Sequence, residues 1–386
     1  MDYFLTEEEQ MIRDTARQIA EEKIVPARHE LDEKEEFPHE IIKVMAQSDL
    51  FGIYIPEEYG GLGLGTMALC VAIEEISKAC LGVSTSYAAN ALGTFPILLS
   101  GSEEQKKKYL PSIASGEKLV AFGLTEANAG SDAGGIQTTA RLDGDHYVLN
   151  GTKQWITNGS VADIYTVIAL TDKKKGARGA SAFIVEKGTP GFSFGKKEKK
   201  MGIRASTTTE LVFEDCRIPK ENLIAREGMG FLVAMKTLDS SRTGVGAQGL
   251  GVAAGALEEA VKFARQRVQF GQAIISFQAV QHMLADMATQ VEAARALVYA
   301  VARTMDSGVK DVSKVSAMAK LFATDTGMKV TTDAVQVMGG SGYMREYPVE
   351  KMMRDAKILQ IYEGTNQIQR NVIGQALIKE AAKAGN

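Results

Sequence analysis

The sequence predicts an α+β multidomain fold: a helical N-terminal domain (1–119), a middle β domain (120–229) and a C-terminal helical bundle (230–386). Three observations point to it. Apolar residues recur at helical spacing through the first third of the chain, the mark of helices with one buried face. Between about Val120 and Pro219 that period gives way to short β-branched and aromatic runs separated by turn dipeptides. From Gly230 onward the helical period returns, and Pro348 is the only proline in that stretch. At 386 residues the chain is also longer than one hydrophobic core usually organises.

Taken in order, Thr6 and Glu9 make a capping box, and Met11, Ile12, Ala16, Ile19 and Ala20 form one apolar stripe that Pro26 is expected to stop. Pro38 opens a second helix carrying Ile41, Ile42 and Met45. Beyond the turn-rich segment 55–65, the alanine-rich run to Ser100 predicts helices buried on most sides, and Ser102 with Gln105 caps another that ends near Ser115-Gly116. Strands are expected over 119–125, 146–150, 163–170, 180–186, 191–195 and 208–218, with Asp143-Gly144, Asn150-Gly151 and Asn158-Gly159 as turns. In the last third, Ala254, Leu257, Val261 and Ala264, then Met283, Met287, Val291, Ala294, Leu297 and Val301, give stripes long enough for a helix bundle. No repeat or low-complexity tract interrupts this order.

Composition narrows the function classes. A net charge of −4 leaves no electrostatic footprint for nucleic acid or an anionic membrane, and the lysine runs at 106–108 and 196–200 read as solvated faces near acidic residues. No apolar run is long enough to insert into a membrane. Cys70, Cys80 and Cys216 are odd in number and lack metal-ligand spacing, and His29, His39, His146 and His282 form no paired motif; no metal site and no Ser–His–Asp hydrolase is expected. The acidic start MDYFLTEEEQ has no presequence character, so a cytoplasmic, bacterial-type protein is expected.

Several constellations could carry chemistry. Met352, Met353, Ala356 and Leu359 predict a helix to about Tyr362; Gly364 ends it, and Thr365 or Asn366 starts another, with Asn366 and Gln369 approximating a capping box. Glu363 is thereby held at a helix–turn–helix elbow, either as a solvated helix-end carboxylate or as a general base. The segment AFGLTEANAGSDAGG (121–135) sets Thr125, Ser131 and several glycines at the end of a strand, a loop suited to a pyrophosphate or flavin edge, or simply a turn. It is no GxGxxG fingerprint, and no Rossmann context surrounds it. In KQWITNG (153–159), Trp155 and Thr157 share a strand face and could present a ring and a hydroxyl together, although the local residues favour a core tryptophan. Arg242 stands near the start of a long helix, Arg267, Phe270 and Gln278 flank a turn between helices, and QVMGGSGY (336–343) ends a helix in glycines.

These motifs, GLTEANAGSD, QWITNG, RVQFG, QVMGGSGY and IYEGTNQIQR, occur in the order and spacing of the acyl-CoA dehydrogenase family, which the chain resembles from about Leu5 to Ile378. The resemblance implies a helical N-terminal domain, a β-barrel-like middle domain and a C-terminal four-helix bundle. It implies FAD as cofactor, with Phe122, Leu124, Thr125, Gly130, Ser131, Trp155, Ile156 and Thr157 beside the flavin and pyrophosphate. Arg267, Gln269, Phe270, Gln278, Gln336, Gly339 and Gly340 match groups on the adenine-dinucleotide part, some supplied by a neighbouring subunit, so a homotetramer is expected. Thr365 and Gln367 match further FAD contacts, while Ser131, Asp239, Arg242 and Gly364 match positions near the acyl-CoA. Glu363 matches the base that removes the α-proton of a thioester as hydride leaves the β-carbon for flavin N5; some relatives carry the base where Ser241 stands here. The expected reaction is α,β-dehydrogenation of an acyl-CoA to the trans-2-enoyl-CoA in fatty acid β-oxidation, with an electron-transfer flavoprotein as acceptor. An enoyl-CoA reductase running in reverse and a catalytically idle scaffold are the alternatives. Small residues at Ser84, Ala88, Ala89 and Ala91, and at Gly244, Gly246, Gly249 and Gly251, suggest a pocket for a short to medium, branched or alicyclic acyl group, or else close helix packing.

Overall fold

The computed structural model describes residues 3–384. The N-terminal helices are α1 (Glu7–Ile19), α2 (Val25–Lys34), α3 (His39–Gln47), α4 (Gly65–Ala79), α5 (Leu81–Ser100) and α6 (Glu103–Ala114). Both expected capping boxes form, Thr6 with Glu9 and Ser102 with Gln105. Pro26 does not stop the first helix. A π-helical turn, Ala20–Ile24, joins α1 to α2 without a break, and Pro26 falls in the first turn of α2, directly after it. The apolar run forms α4 and α5, which are buried on nearly every face.

Strands β1 (Val120–Gly123), β2 (Thr139–Asp143), β3 (His146–Thr157), β4 (Ile164–Leu170), β5 (Ala180–Glu186), β6 (Phe192–Lys197), β7 (Thr208–Pro219) and β8 (Leu223–Ile224) build one mostly antiparallel sheet. Its order is β6-β7-β3-β2-β4-β5-β8, with β1 alongside β4. Tyr165 on β4 and Phe192 on β6 lie far apart in that order, yet their ring centroids are 4.8 Å apart, so the sheet curls over its own core in the expected barrel-like manner. Asn150-Gly151, expected as a turn, lies inside β3: the pairing with β7 shifts register there, and the strand bends without ending. The β2 strand was not anticipated: Thr139–Asp143 alternates polar and apolar residues, but it is short and carries a single β-branched side chain and no aromatic one.

The C-terminal part contains α7 (Gly230–Gln266), a small hairpin of β9 (Val268–Gln269) and β10 (Gln272–Ala273), α8 (Gln278–Asp306), α9 (Ser313–Met338), α10 (Val349–Ala356) and α11 (Asn366–Ala384). The α7 glycines serve helix crossings. A Cβ at Gly249 would stand 2.6 Å from Ala323 O on α9, and one at Gly251 would stand 2.4 Å from Glu74 O on α4. Helix α8 also draws the N-terminal part onto the bundle, through α4. Asp306 at the end of α8 accepts the Thr66 and Met67 N–H groups at 2.6 and 2.8 Å, satisfying donors at the start of α4. Buried Glu74 accepts from Arg295 at 2.9 Å and from Tyr299 at 2.7 Å. Among the described residues no helix is long and apolar enough to cross a membrane, and no cluster of side chains could hold a metal ion.

Candidate active site

A cavity of about 420 Å³ opens where the three parts of the chain meet, a volume typical of small-molecule sites. On one wall, α5 contributes Thr85, Ala88, Ala89 and Leu92. Phe122, Leu124, Thr125, Gly130 and Ser131 line it from β1 and the following loop, and Trp155, Ile156 and Thr157 from the end of β3. Arg242 and Gln248 reach it from α7, and Tyr362, Glu363, Gly364 and Ile368 from the C-terminal elbow.

The β wall depends on a buried ion pair. Lys153 on β3 is fully buried and donates from Nζ to Leu124 O at 3.0 Å and to Glu126 Oε1 at 2.7 Å. Glu126 also accepts the Gln137 and Thr138 backbone N–H groups at 2.6 and 2.9 Å, so one carboxylate ties both ends of the loop. Burial pushes Lys153 down to about 8, against the attraction of Glu126. Two residues on, β3 bulges: the register shifts between Lys153 and Ile156, and Trp155 adopts φ +58°. The bulge replaces simple alternation, so three consecutive residues line the cavity. Trp155 is 56% exposed, which excludes a core role. Its open ring, the hydroxyl residues Thr125, Ser131 and Thr157, and Gly130 with nothing within 4 Å of where a Cβ would stand fit a flat ring system with hydrogen-bonding edges, as FAD has.

At the elbow, α10 ends at Ala356, a 3₁₀ turn runs Lys357–Gln360, and Glu363 and Gly364 take φ of +54° and +88°. The helix therefore stops sooner than its apolar spacing suggests. The expected capping box is also corrected. Thr365 caps α11 by accepting the Ile368 N–H at 3.2 Å, while Gln369 donates back to Glu363 O and Gly364 O at 3.2 and 2.9 Å. Asn366 is engaged elsewhere, donating to Thr324 and Asp325 on α9.

Ser241 Oγ donates to Glu363 Oε2. Burial raises the Glu363 pKa above the usual carboxylate range, opposed by that hydrogen bond and by the Lys320 and Arg242 charges. Arg242, itself buried, donates to Asp239 and keeps a buried Nε without a partner, a free donor beside the cavity.

Other expected site residues stand apart. Asp239, Thr365 and Gln367 do not line the cavity, and neither do Arg267, Gln269, Phe270, Gln278, Gln336, Gly339 or Gly340. Those last seven are all exposed on this chain, Phe270 by 94%. Of the small residues expected along the acyl pocket, Ala88 and Ala89 line it, but Ser84 bonds Ser77 at 2.7 Å and the α7 glycines meet neighbouring helices. The sequence reading missed Thr85, Gln248, Tyr362, Ile368 and the buried Lys320. Lys320 had a legible signal, since it shares a helical stripe with the small residues Ser316, Ala317, Ala323 and Thr324.

Models of the acyl-CoA dehydrogenase N-terminal, middle and C-terminal domains match residues 6–117, 121–216 and 228–378. The chain belongs to the acyl-CoA dehydrogenase family. It is 49% identical to the short-chain specific acyl-CoA dehydrogenase of Clostridium acetobutylicum over 385 residues, 98% of this chain and 100% of that one. It is also 49% identical to the acryloyl-CoA reductase (NADH) of Anaerotignum propionicum, over 98% of this chain and 96% of that one. A chain in a solved structure concerned with the electron-transferring flavoprotein of Acidaminococcus fermentans and flavin-based electron bifurcation superposes with a TM-score of 0.96. The two are 54% identical over 98% of this chain and 99% of that chain. The family membership bears out the fold class and the resemblance read from the motifs.

Proposed function

We propose that the protein is an FAD-dependent dehydrogenase of short-chain acyl-CoA thioesters, with Glu363 as the base. The observation that carries this reading is a carboxylate held in a left-handed elbow, opening into the same cavity as the Trp155–Thr157 wall. Ser241 engages Oε2, which orients the carboxylate and leaves Oε1 to meet a substrate α-hydrogen. Burial raises the basicity of the carboxylate, and a thioester seated over it would exclude further water. A backbone N–H at the elbow can polarise the thioester carbonyl as negative charge develops on its oxygen. FAD, when bound against the Trp155 wall, supplies the acceptor for the β-hydrogen and its electron pair. Loss of the α-proton to Glu363 and of that hydride from the β-carbon leaves the trans-2-enoyl-CoA.

The short-chain assignment is supported by the short-chain specific relative. Tyr362 OH donates to Gln248 at 2.6 Å, and Gln248 to Thr85 at 3.4 Å, a polar chain that bounds the apolar space beside Ala88 and Ala89. The same reading includes a homotetramer, which would let the exposed Arg267–Phe270 hairpin complete a neighbour's FAD site. It also includes an electron-transfer flavoprotein as partner, in keeping with the bifurcation-related neighbour, and a reducing cytoplasmic setting, which suits three buried free cysteines. The second reading, enoyl-CoA reduction with the same groups in reverse, is favoured by the acryloyl-CoA reductase relative. The intact cavity and its carboxylate weigh against an idle scaffold.

Glu363→Gln should keep FAD and acyl-CoA binding but slow bleaching of the flavin by substrate by about 10²–10⁴-fold. The assay is run on wild type and variant across a series of acyl-CoA lengths. Near wild-type bleaching by the variant would move the base elsewhere, and a wild-type preference for long-chain esters would overturn the short-chain assignment.

A further inference from the structure

Lys320 lies in the middle of α9, is fully buried, and does not line the cavity. A lysine ammonium out of water is costly unless it is paired. Its partners all belong to the elbow. Nζ donates to Gly364 O at 2.9 Å, the carbonyl directly after the base, and to Asn366 Oδ1 at 2.8 Å.

The rest of α9 completes the attachment. Asn366 donates to Thr324 Oγ1 at 2.9 Å and to Asp325 Oδ1 at 2.7 Å. Gln360, just before the elbow, donates to the same Asp325 oxygen at 2.8 Å, and Arg370, just after it, to Asp325 Oδ2 at 3.1 Å. Both sides of the left-handed turn are therefore tied to one rigid helix. A non-glycine residue at positive φ persists only where its surroundings over-determine it, and α9 supplies that constraint for Glu363.

We propose that Lys320 is a positioning residue for the base: its ammonium clamps the Gly364 carbonyl and the Asn366 side chain so that the elbow holds the Glu363 carboxylate in the cavity as an anion. This rests on the assignment of Glu363 as the base. The groups facing the carboxylate are Ser241 and Arg242 from α7, with Asp239 behind Arg242; Lys320 from α9, with Asp325 behind it; and the adjoining Tyr362. Two cations thus favour the ionised base against its burial, and Lys320 also bonds the backbone that carries it. Lys320 is itself pushed down to about 7 by burial, with Glu363 and Asp325 opposing.

The test is the pH profile of kcat/KM on FAD-loaded enzyme. Glu363 must be ionised to act, so the profile rises with pH through its pKa. Without the Lys320 charge that pKa climbs. Lys320→Met should therefore move the acid limb up by about one pH unit, with Lys320→Arg returning it toward wild type. A purely structural lysine would lower stability and leave the limb in place, and an unmoved limb in Lys320→Met overturns the proposal. Should Lys320→Met fail to fold, Asp325→Asn decides. That change keeps an oxygen for Gln360 and Asn366 but withdraws the charge that supports Lys320, so the limb should move the same way by less, and an unmoved limb again overturns the proposal. Glu363→Gln measured in parallel separates the two claims. Its inactivity with an unmoved limb in the lysine or aspartate variant removes Lys320 alone, whereas an active Glu363→Gln removes the base assignment and the Lys320 role with it.

Discussion

Gly364 is constrained both by its backbone conformation and by a neighbouring side chain. It sits at φ +88°, and a Cβ there would stand 2.7 Å from Gln369 Nε2, the group that holds the Glu363 and Gly364 carbonyls. Any other residue meets both backbone strain and a clash with that brace. Gly364→Ala should lower stability by about 1–3 kcal/mol and depress kcat more than it raises KM, because the carboxylate moves while the far end of the substrate site stays in place. Denaturant midpoints and steady-state kinetics on one preparation check both. At this scale the sequence was informative but ambiguous. Glu363 before a glycine is as readily a solvated helix end, and the placement of its carboxylate against Ser241, 122 positions away, is visible only in the fold.

Among the elements, α7 illustrates how a local pattern acquires meaning only from its neighbours. Read along the chain, its glycines suit either a pocket wall or close helix packing, and in the fold Gly249 and Gly251 face the backbones of α9 and α4. Gly249→Ala would push a methyl toward Ala323 O at 2.6 Å, forcing the two helices apart. The expected outcome is a loss of about 1–3 kcal/mol from overpacking, seen as a lower Tm, with the relative rates for different acyl-CoA lengths unchanged. A shifted chain-length preference with unaltered Tm would return these glycines to the pocket wall. Strand β3 gives the complementary case. Trp155 and Thr157 were legible as a pair, but the bulge that brings Ile156 beside them depends on register against β7, a long-range pairing that no local period reports.

For the whole molecule, the decisive feature is the surface that one chain leaves open. Phe270, at φ +52° on the tip of the β9–β10 hairpin, is 94% exposed, and Arg267, Gln269 and Gln278 around it are exposed too. A bulky apolar residue held in a strained turn and offered to solvent is a poor solution for an isolated chain. In the proposed homotetramer it becomes a contact that completes a neighbour's cofactor site. Phe270→Glu should then yield a smaller species by light scattering and a lower FAD content per chain, with the monomer fold intact by circular dichroism. A tetramer with full FAD content would remove the hairpin from that role.

By itself the sequence determined the three-part order of helices, sheet and helices, the capping boxes at Thr6 and Ser102, and the family, since these depend on periodicity, on residues a few positions apart, and on motifs that keep their order. The tertiary structure alone decided that Pro26 lies within a continuous helical run, that the α7 glycines are crossings, and that Ser241 and Lys320 reach the elbow. The division follows from the range of the forces. Propensity and capping act within a turn or two of chain, whereas the ionisation and aim of a partly buried carboxylate are set by whatever charges and donors packing brings within a few ångströms of it.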